Sequence, residues 1–285
     1  LPVVLLLIDG WGIAERSEGN AIAQASTPNF NELIAKYPSV SLETVLSGET
    51  VAKRANIANN YLALGTGIKK PTKNSRSFFD ILDQAGLNHF TLTEAERLAY
   101  ATFFINNKKK IDHRKYLLLS SEPIDDYTLE PEMATPKIAA ELIRIIKSKK
   151  YDFILVDLAN LSLTAHAGDF SATIRAVEAA DNALGKISKA VLDNSGTLIF
   201  SAASGNAESA MEMNTEMANK KDSLNPVPFV VAGKNFEGKT FGFAEAPNND
   251  LALVAPAGSL LDIAPTLLHI MNLPIPLAME GKPLI

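Results

Sequence analysis

Asp9 closes an apolar run and is followed by Gly10 and Gly12 in the stretch LLLIDGWG, so a carboxylate sits in a tight turn just past a strand. In α/β sheets, sites gather at the carboxyl ends of strands. The same rule draws attention to residues 159–168, which contain His166, and to residues 202–208, which end in Glu208. Carboxylates and imidazoles are the groups that ligate hard or borderline divalent cations or move protons. Of the remaining histidines, His89, His113 and His269 form no ligand pattern. There is no cysteine, which excludes disulfides, thiolate zinc sites and thiol nucleophiles. Gly10, Gly12, Gly65 and Gly67 lack the following Lys-Ser/Thr of a phosphate loop and read as tight turns and close packing. Taken alone, Asp9 reads as a turn residue and His166 as a hydrogen-bonded loop histidine. One carboxylate and one imidazole fall short of the four or more ligands that fix a divalent ion.

The elements that must position these groups follow from hydrophobic patterning. Continuous apolar runs at Val3–Ile8, Phe153–Val156, Thr197–Phe200 and Pro228–Val231, with a weaker one at Tyr116–Leu119, read as strands buried on both faces. Thr135-Pro136 reads as a capping hydroxyl followed by a first-turn proline, opening a helix with Ile138, Leu142, Ile145 and Ile146 on one face. A longer helix is expected over about Ser171–Leu192, with a stripe of Ile174, Val177, Leu184, Ile187 and Val191. A last one is expected over roughly Ser259–Ile270. Alternating strands and helices predict an α/β fold, a doubly wound, mostly parallel sheet with helices on both faces.

The 285 residues are 47% hydrophobic, enough for a substantial core in one domain. The net charge of −5 offers no overall basic excess, so no nucleic-acid partner is expected. The basic runs at residues 108–110 and 147–150 read as solvated surface, the second at a helix end where cations suit the helix dipole. Val3–Ile8 is too short to span a bilayer and lacks signal-peptide flanks, so no membrane span and a cytoplasmic location are expected. The chain begins without Met, consistent with a trimmed chain or part of a longer product.

Several blocks then resemble one family. LLLIDGWG, residues 19–22 (GNAI) and residues 27–30 (TPNF) are similar to the start of cofactor-independent phosphoglycerate mutases of the alkaline phosphatase superfamily. The resemblance continues through residues 93–104 (TEAERLAYATFF), 129–133 (LEPEM) and 151–185. It runs on through residues 205–208 (GNAE), 225–229 (NPVPF), 262–268 (DIAPTLL) and 281–285 (GKPLI). It implies an alkaline phosphatase-like core that holds two divalent ions, usually manganese, beside a serine that takes the phosphoryl group at a helix start. In the family a second, inserted domain binds the phosphoglycerate.

Carried over position by position, the resemblance implies losses. Asp9 keeps the first metal aspartate and His166 one metal histidine. Ile57 stands where the family has its serine, and Ser162 where it has a metal aspartate. Ala203 and Ser204 replace an Asp-His pair, and Asp222 replaces the last histidine. The family lysine becomes Arg97 and a nearby histidine Tyr100. The inserted domain is expected to be deleted near residues 68–76, leaving one domain over residues 1–285. The implied function is a catalytically inactive, phosphoglycerate mutase-like pseudoenzyme with a structural, assembly or binding role, working with a protein partner. The vestigial metal positions Asp9 and His166 are expected to hold no ion, and no cofactor is expected. Two alternatives stand beside it. One is a metal-dependent phosphatase or mutase-like enzyme whose site, rebuilt with Asp157, Asp169 or Asp222, would take manganese or another divalent ion. The other is a pocket that binds a phosphorylated or nucleotide ligand without chemistry.

Overall fold

The computed structural model describes residues 1–44, 56–120, 126–212 and 217–285. Its centre is an eight-stranded sheet: β1 (Val3–Ile8), β2 (Ser39–Glu43), β3 (His89–Thr93), β4 (Tyr116–Leu118), β5 (Phe153–Leu158), β6 (Thr197–Ser201), β7 (Val227–Ala232) and β8 (Gly258–Ser259). The spatial order is β4-β3-β5-β1-β6-β7-β2-β8. Among these strands β7 alone runs against its neighbours, pairing antiparallel with β6 and β2. The fold is therefore α/β with a mostly parallel sheet, as the apolar runs predict. β1, β5 and β7 are buried along their whole length, which is why they read as continuous apolar runs rather than alternation.

The helices that cover the sheet are α1 (Ala21–Gln24), α2 (Pro28–Lys36), α3 (Ile57–Thr66), α4 (Phe78–Gln84), α5 (Thr135–Ser148), α6 (Asn160–Ala167), α7 (Phe170–Asp193) and α8 (Ile263–Ile270). In α5 the expected face of Ile138, Leu142, Ile145 and Ile146 is buried. Each such side chain removed from water contributes about 1.5–3 kcal/mol. Thr135 does not cap this helix: Ala134 holds the cap position, and Thr135 and Pro136 lie within the first turn. The buried Thr135 Oγ1 finds no described partner. In α7 the stripe holds except at Ile174, which is only half-buried; Thr173 and Ala176 take the inward positions. The last helix is α-helical only from Ile263. Ser259 and Asp262 form a capping box over a tighter first turn, so the expected start at Ser259 is its cap.

Beyond the expected elements are β2, β3 and β8, and the helices α1, α2, α3, α4 and α6. Two details position the candidate site. Gly10 has φ +93° and lies so close to α6 that a Cβ would stand 2.9 Å from the backbone of Ser162, so glycine is required there. After β3 the chain makes a tight 3₁₀ turn (Ala95–Arg97) and then a wide turn (Ala99–Phe104) with i→i+5 bonds, such as Ile105 N–H to Tyr100 O at 3.1 Å.

Candidate functional site

The crevice lies at the carboxyl ends of β1, β3, β5 and β6, where a parallel sheet collects its functional groups. Asp9 follows the last residue of β1, and Asp157 lies on β5 opposite Leu7 of β1 and Thr93 of β3. Both carboxylates are fully buried. Arg97, delivered by the turn after β3, places Nη2 2.7 Å from Asp9 Oδ2 and is itself 4% exposed. The other Asp9 oxygen, Oδ1, accepts bonds from Ser204 N–H (3.0 Å) and Ser204 Oγ–H (2.9 Å) at the end of β6. Tyr61 of α3 donates its hydroxyl to Asp157 Oδ2 at 2.7 Å. The Tyr61 and Tyr100 rings meet at 5.3 Å, and the Arg97 guanidinium lies 5.6 Å from the Tyr100 ring centre.

A chain of hydrogen bonds leads outward from this core. Ser204 Oγ also lies 3.4 Å from Asp222 Oδ1, and that same oxygen is 3.1 Å from His166 Nε2. Asp9 and His166 therefore belong to one network, joined through Ser204 and Asp222 and not sharing a common point. The order serine–aspartate–histidine places the carboxylate in the middle. No imidazole sits on the Ser204 hydroxyl to take its proton, which nucleophilic catalysis requires.

Burial sets the protonation states. Asp9 is pushed up by complete burial, pulled back by Arg97, pushed up again by Asp222 and lowered by its two Ser204 bonds, ending above the usual carboxylate range. Burial raises Asp157 to about 7 against the lowering pull of Arg97. Burial likewise drives the Tyr61 phenol well up, with Asp157 adding to it. Arg97 loses by desolvation but gains more from Asp9 and the other anionic groups, so its charge is secure. Glu94, beside this core, is raised to about 8 by burial, with Glu96 and Asp157 adding to the rise.

A carboxyl raised in the fold holds a proton that the unfolded chain has released. The stability it confers is complete below about pH 4 and is lost as pH climbs through its folded value, here about 7 for Asp157 and about 8 for Glu94. Glu94→Gln should therefore stabilise the protein at pH 9 by on the order of 2 kcal/mol and change little at pH 5. Thermal melts at the two pH values check this, and an equal shift at both would contradict it.

The candidates singled out in the sequence fall into three places. Asp9, His166, Asp157, Asp222, Arg97 and Tyr100 converge on the crevice or its rim, although His166 lies in the last turn of α6 and not in a loop. Ile57 is the first residue of α3, after the capping Asn56 whose side chain accepts from Asn59 N–H, so an aliphatic group stands at the helix start. Asp169 is elsewhere: its carboxylate caps α7 by accepting from Ala172 N–H at 2.7 Å, so it cannot contribute to a rebuilt site. Glu208 is also spent on structure, accepting from Asn206 N–H, the Ser223 hydroxyl and Asn225 Nδ2. Gly12 packs against it, since a Cβ there would lie 2.1 Å from its Cδ. Neither Tyr61 nor Ser204 is a residue type that the sequence alone marks as a ligand or an acid–base group. Their signal was positional, because both stand in blocks where the resemblance places a histidine. Among the described residues, no three His, Asp or Glu side chains converge as a metal-holding group.

Comparison with known proteins agrees with this frame. The profile of the metalloenzyme superfamily matches residues 1–275. The 2,3-bisphosphoglycerate-independent phosphoglycerate mutase of Thermomicrobium roseum is 35% identical over 207 residues, 72% of this chain and 38% of that protein. The Clostridium perfringens (strain SM101) protein of the same name is 32% identical over 214 residues, 74% of this chain and 39% of its own. The chain thus matches under two fifths of the length of these relatives. Among solved structures, Leishmania mexicana phosphoglycerate mutase aligns with a TM-score of 0.59 and 23% identity, covering 70% of this chain and 38% of that one. The alkaline phosphatase TAB5 aligns with a TM-score of 0.60 and 14% identity, covering 96% and 98%. Both show a shared fold. From a sheet whose strand ends gather Asp9 and Asp157, and from a profile match over nearly the whole chain, the protein belongs to the metalloenzyme superfamily, as an alkaline phosphatase-like domain homologous to the catalytic core of cofactor-independent phosphoglycerate mutases.

Proposed function

We propose that this chain is a catalytically silent member of its superfamily, with a structural, assembly or binding role fulfilled through a protein partner. The observation that carries the reading is the Arg97 guanidinium seated 2.7 Å from Asp9 in a closed, buried crevice. A fixed organic cation there compensates the carboxylate that would otherwise face a divalent ion. The donor set does not fit a pair of such ions. Asp9 is committed to Arg97 and Ser204, Asp157 is raised to about 7 and bonded to Tyr61, and His166 pairs with Asp222. A divalent cation needs several ionised or neutral donors converging in fixed geometry.

The transfer step is equally unsupported. Ile57 at the start of α3 has no oxygen to carry a phosphoryl group, and Ser204, a hydroxyl within the crevice, is 2% exposed and already donates inward. Retention of the fold beside these substitutions fits a domain kept for its surface. The expected location remains cytoplasmic; among the described residues no helix is long and apolar enough to cross a membrane.

The experiment is hydrolysis of p-nitrophenyl phosphate and interconversion of 2- and 3-phosphoglycerate by the purified protein in millimolar manganese. The expected result is background turnover. A rate abolished by both Asp9→Asn and His166→Ala would instead establish an enzyme with a rebuilt site, the reading favoured by the network that joins those two residues.

A further inference from the structure

The cations of this acidic protein are distributed unevenly. Thirteen of its 27 lysines and arginines fall in three short segments, residues 69–76, 108–115 and 144–150, where Asp112 is the sole acid. The rest of the chain carries 14 cations against 31 acids. The overall charge of −5 therefore conceals a strongly basic region beside a strongly acidic remainder.

The fold draws these segments together along the edge of the sheet that ends in β4. Asn107 Nδ2 donates to Thr72 O and Ser75 O, both at 2.8 Å, and Lys109 Nζ donates to Ser75 O at 3.1 Å, which fastens the first segment to the second. The second leads directly into β4. Arg114 and Tyr116 then share a groove of about 360 Å³ with Glu141, Arg144, Lys150 and Tyr151 at the end of α5; Arg114 is paired with Asp112 and Arg144 with Glu141, so the unpaired positive charge comes from the lysines around it. Lys108, Lys110, Lys147, Lys149 and Lys150 are all exposed, with no carboxylate among the described residues in ion-pair contact. β4 is the terminal strand, paired to β3 on one side and to no described strand on the other. Leu118 on this strand is 37% exposed.

We propose that this edge is a docking surface for an acidic, extended protein segment, which adds to β4 and lies along the basic groove. An unpaired edge strand presents main-chain donors and acceptors that a peptide can complete. Phe90, Tyr116 and Tyr151 supply apolar wall for alternate side chains, and the lysines attract the carboxylates between them. Two observations favour a peptide over a nucleic acid. Only a peptide continues the ladder, and the acidic remainder of the molecule repels a long polyanion that extends past the edge. The surface uses none of the crevice residues, so it goes beyond the reading of the crevice and the two can fail separately.

The test is fluorescence anisotropy with a short fluorescein-labelled peptide alternating glutamate and valine, with labelled oligo-dT of matched charge as the competitor class. The full chain should bind the peptide more tightly than oligo-dT. Affinity should fall about tenfold or more between low and moderate salt. The triple variant Lys147→Glu, Lys149→Glu, Lys150→Glu should weaken binding about tenfold or more, and Lys186→Glu, Lys189→Glu on α7 should leave it unchanged. Melting curves confirm that each variant folds. Oligo-dT bound more tightly than the peptide would overturn the proposal in favour of nucleic acid. Salt-sensitive self-association without peptide binding would overturn it in favour of a second copy. Unchanged binding in the triple variant, or no binding of the peptide, would overturn it outright.

Discussion

Replacing Arg97 with methionine is expected to cost about 3–5 kcal/mol of folding stability, because it strands a buried carboxylate without its counter-ion. In a domain of this size that corresponds to a fall in Tm of roughly 10 °C. Methionine keeps much of the apolar stem and the contact with Tyr100, so the loss isolates the charge. Asp9 is fully buried, and its remaining bonds come from Ser204 alone. Asp157 also loses the cation that lowers its proton affinity. The double variant Asp9→Asn, Arg97→Met removes both charges and should recover more than half of the loss, since replacing a buried pair is far cheaper than breaking it. A double-mutant cycle on urea unfolding should give a coupling of about 2 kcal/mol or more. Independent, additive effects of the two substitutions would show that Arg97 is not the charge partner of Asp9.

Trp11→Ala should cost about 3–5 kcal/mol, as for other buried large-to-small changes. Trp11 is fully buried and is the chain's one tryptophan. Its ring meets Phe30 at 5.1 Å and Phe200 at 5.6 Å, and those two meet each other at 5.8 Å, so three elements share one aromatic contact. The backbone N–H of Trp11 bonds to Ile8 O at 3.2 Å in the turn that aims Asp9, and the alanine variant keeps this bond. The cavity opens beside that turn, so it should loosen the crevice as well as the core. Far-ultraviolet circular dichroism in urea measures the cost without the lost fluorophore. Trp11→Phe should cost less than half as much, and equal costs for the two variants would contradict a packing origin.

The architecture was largely legible in the sequence because its central strands are buried on both faces. Val3–Ile8 and Thr197–Ser201 announce themselves without help from alternation. β3 was not legible: His89, Thr91 and Thr93 are polar yet buried, and they break the apolar run that would have marked the strand. β2 is short and begins and ends in polar residues, and β8 is only two residues long. The cap of α5 is ambiguous in the sequence because Thr-Pro fits an N-cap followed by proline as well as it fits the first turn itself.

The crevice was legible in its members and illegible in its connections. Spacing along the chain places Asp9 and His166 in segments that follow strands, but it cannot show that Ser204 and Asp222 join them, because those contacts span 195, 18 and 56 residues. Nor could it show that Arg97 points at Asp9. That contact depends on the tight and wide turns after β3, and neither leaves a simple periodic signature.

On the proposed reading, Arg97 is the cation of this crevice and no divalent ion shares it. Calorimetric titration of manganese into the purified, chelator-treated protein tests it most directly. The expected result is no saturable heat and no metal retained after desalting. Two manganese ions held per chain, and lost in Asp9→Asn, would contradict it.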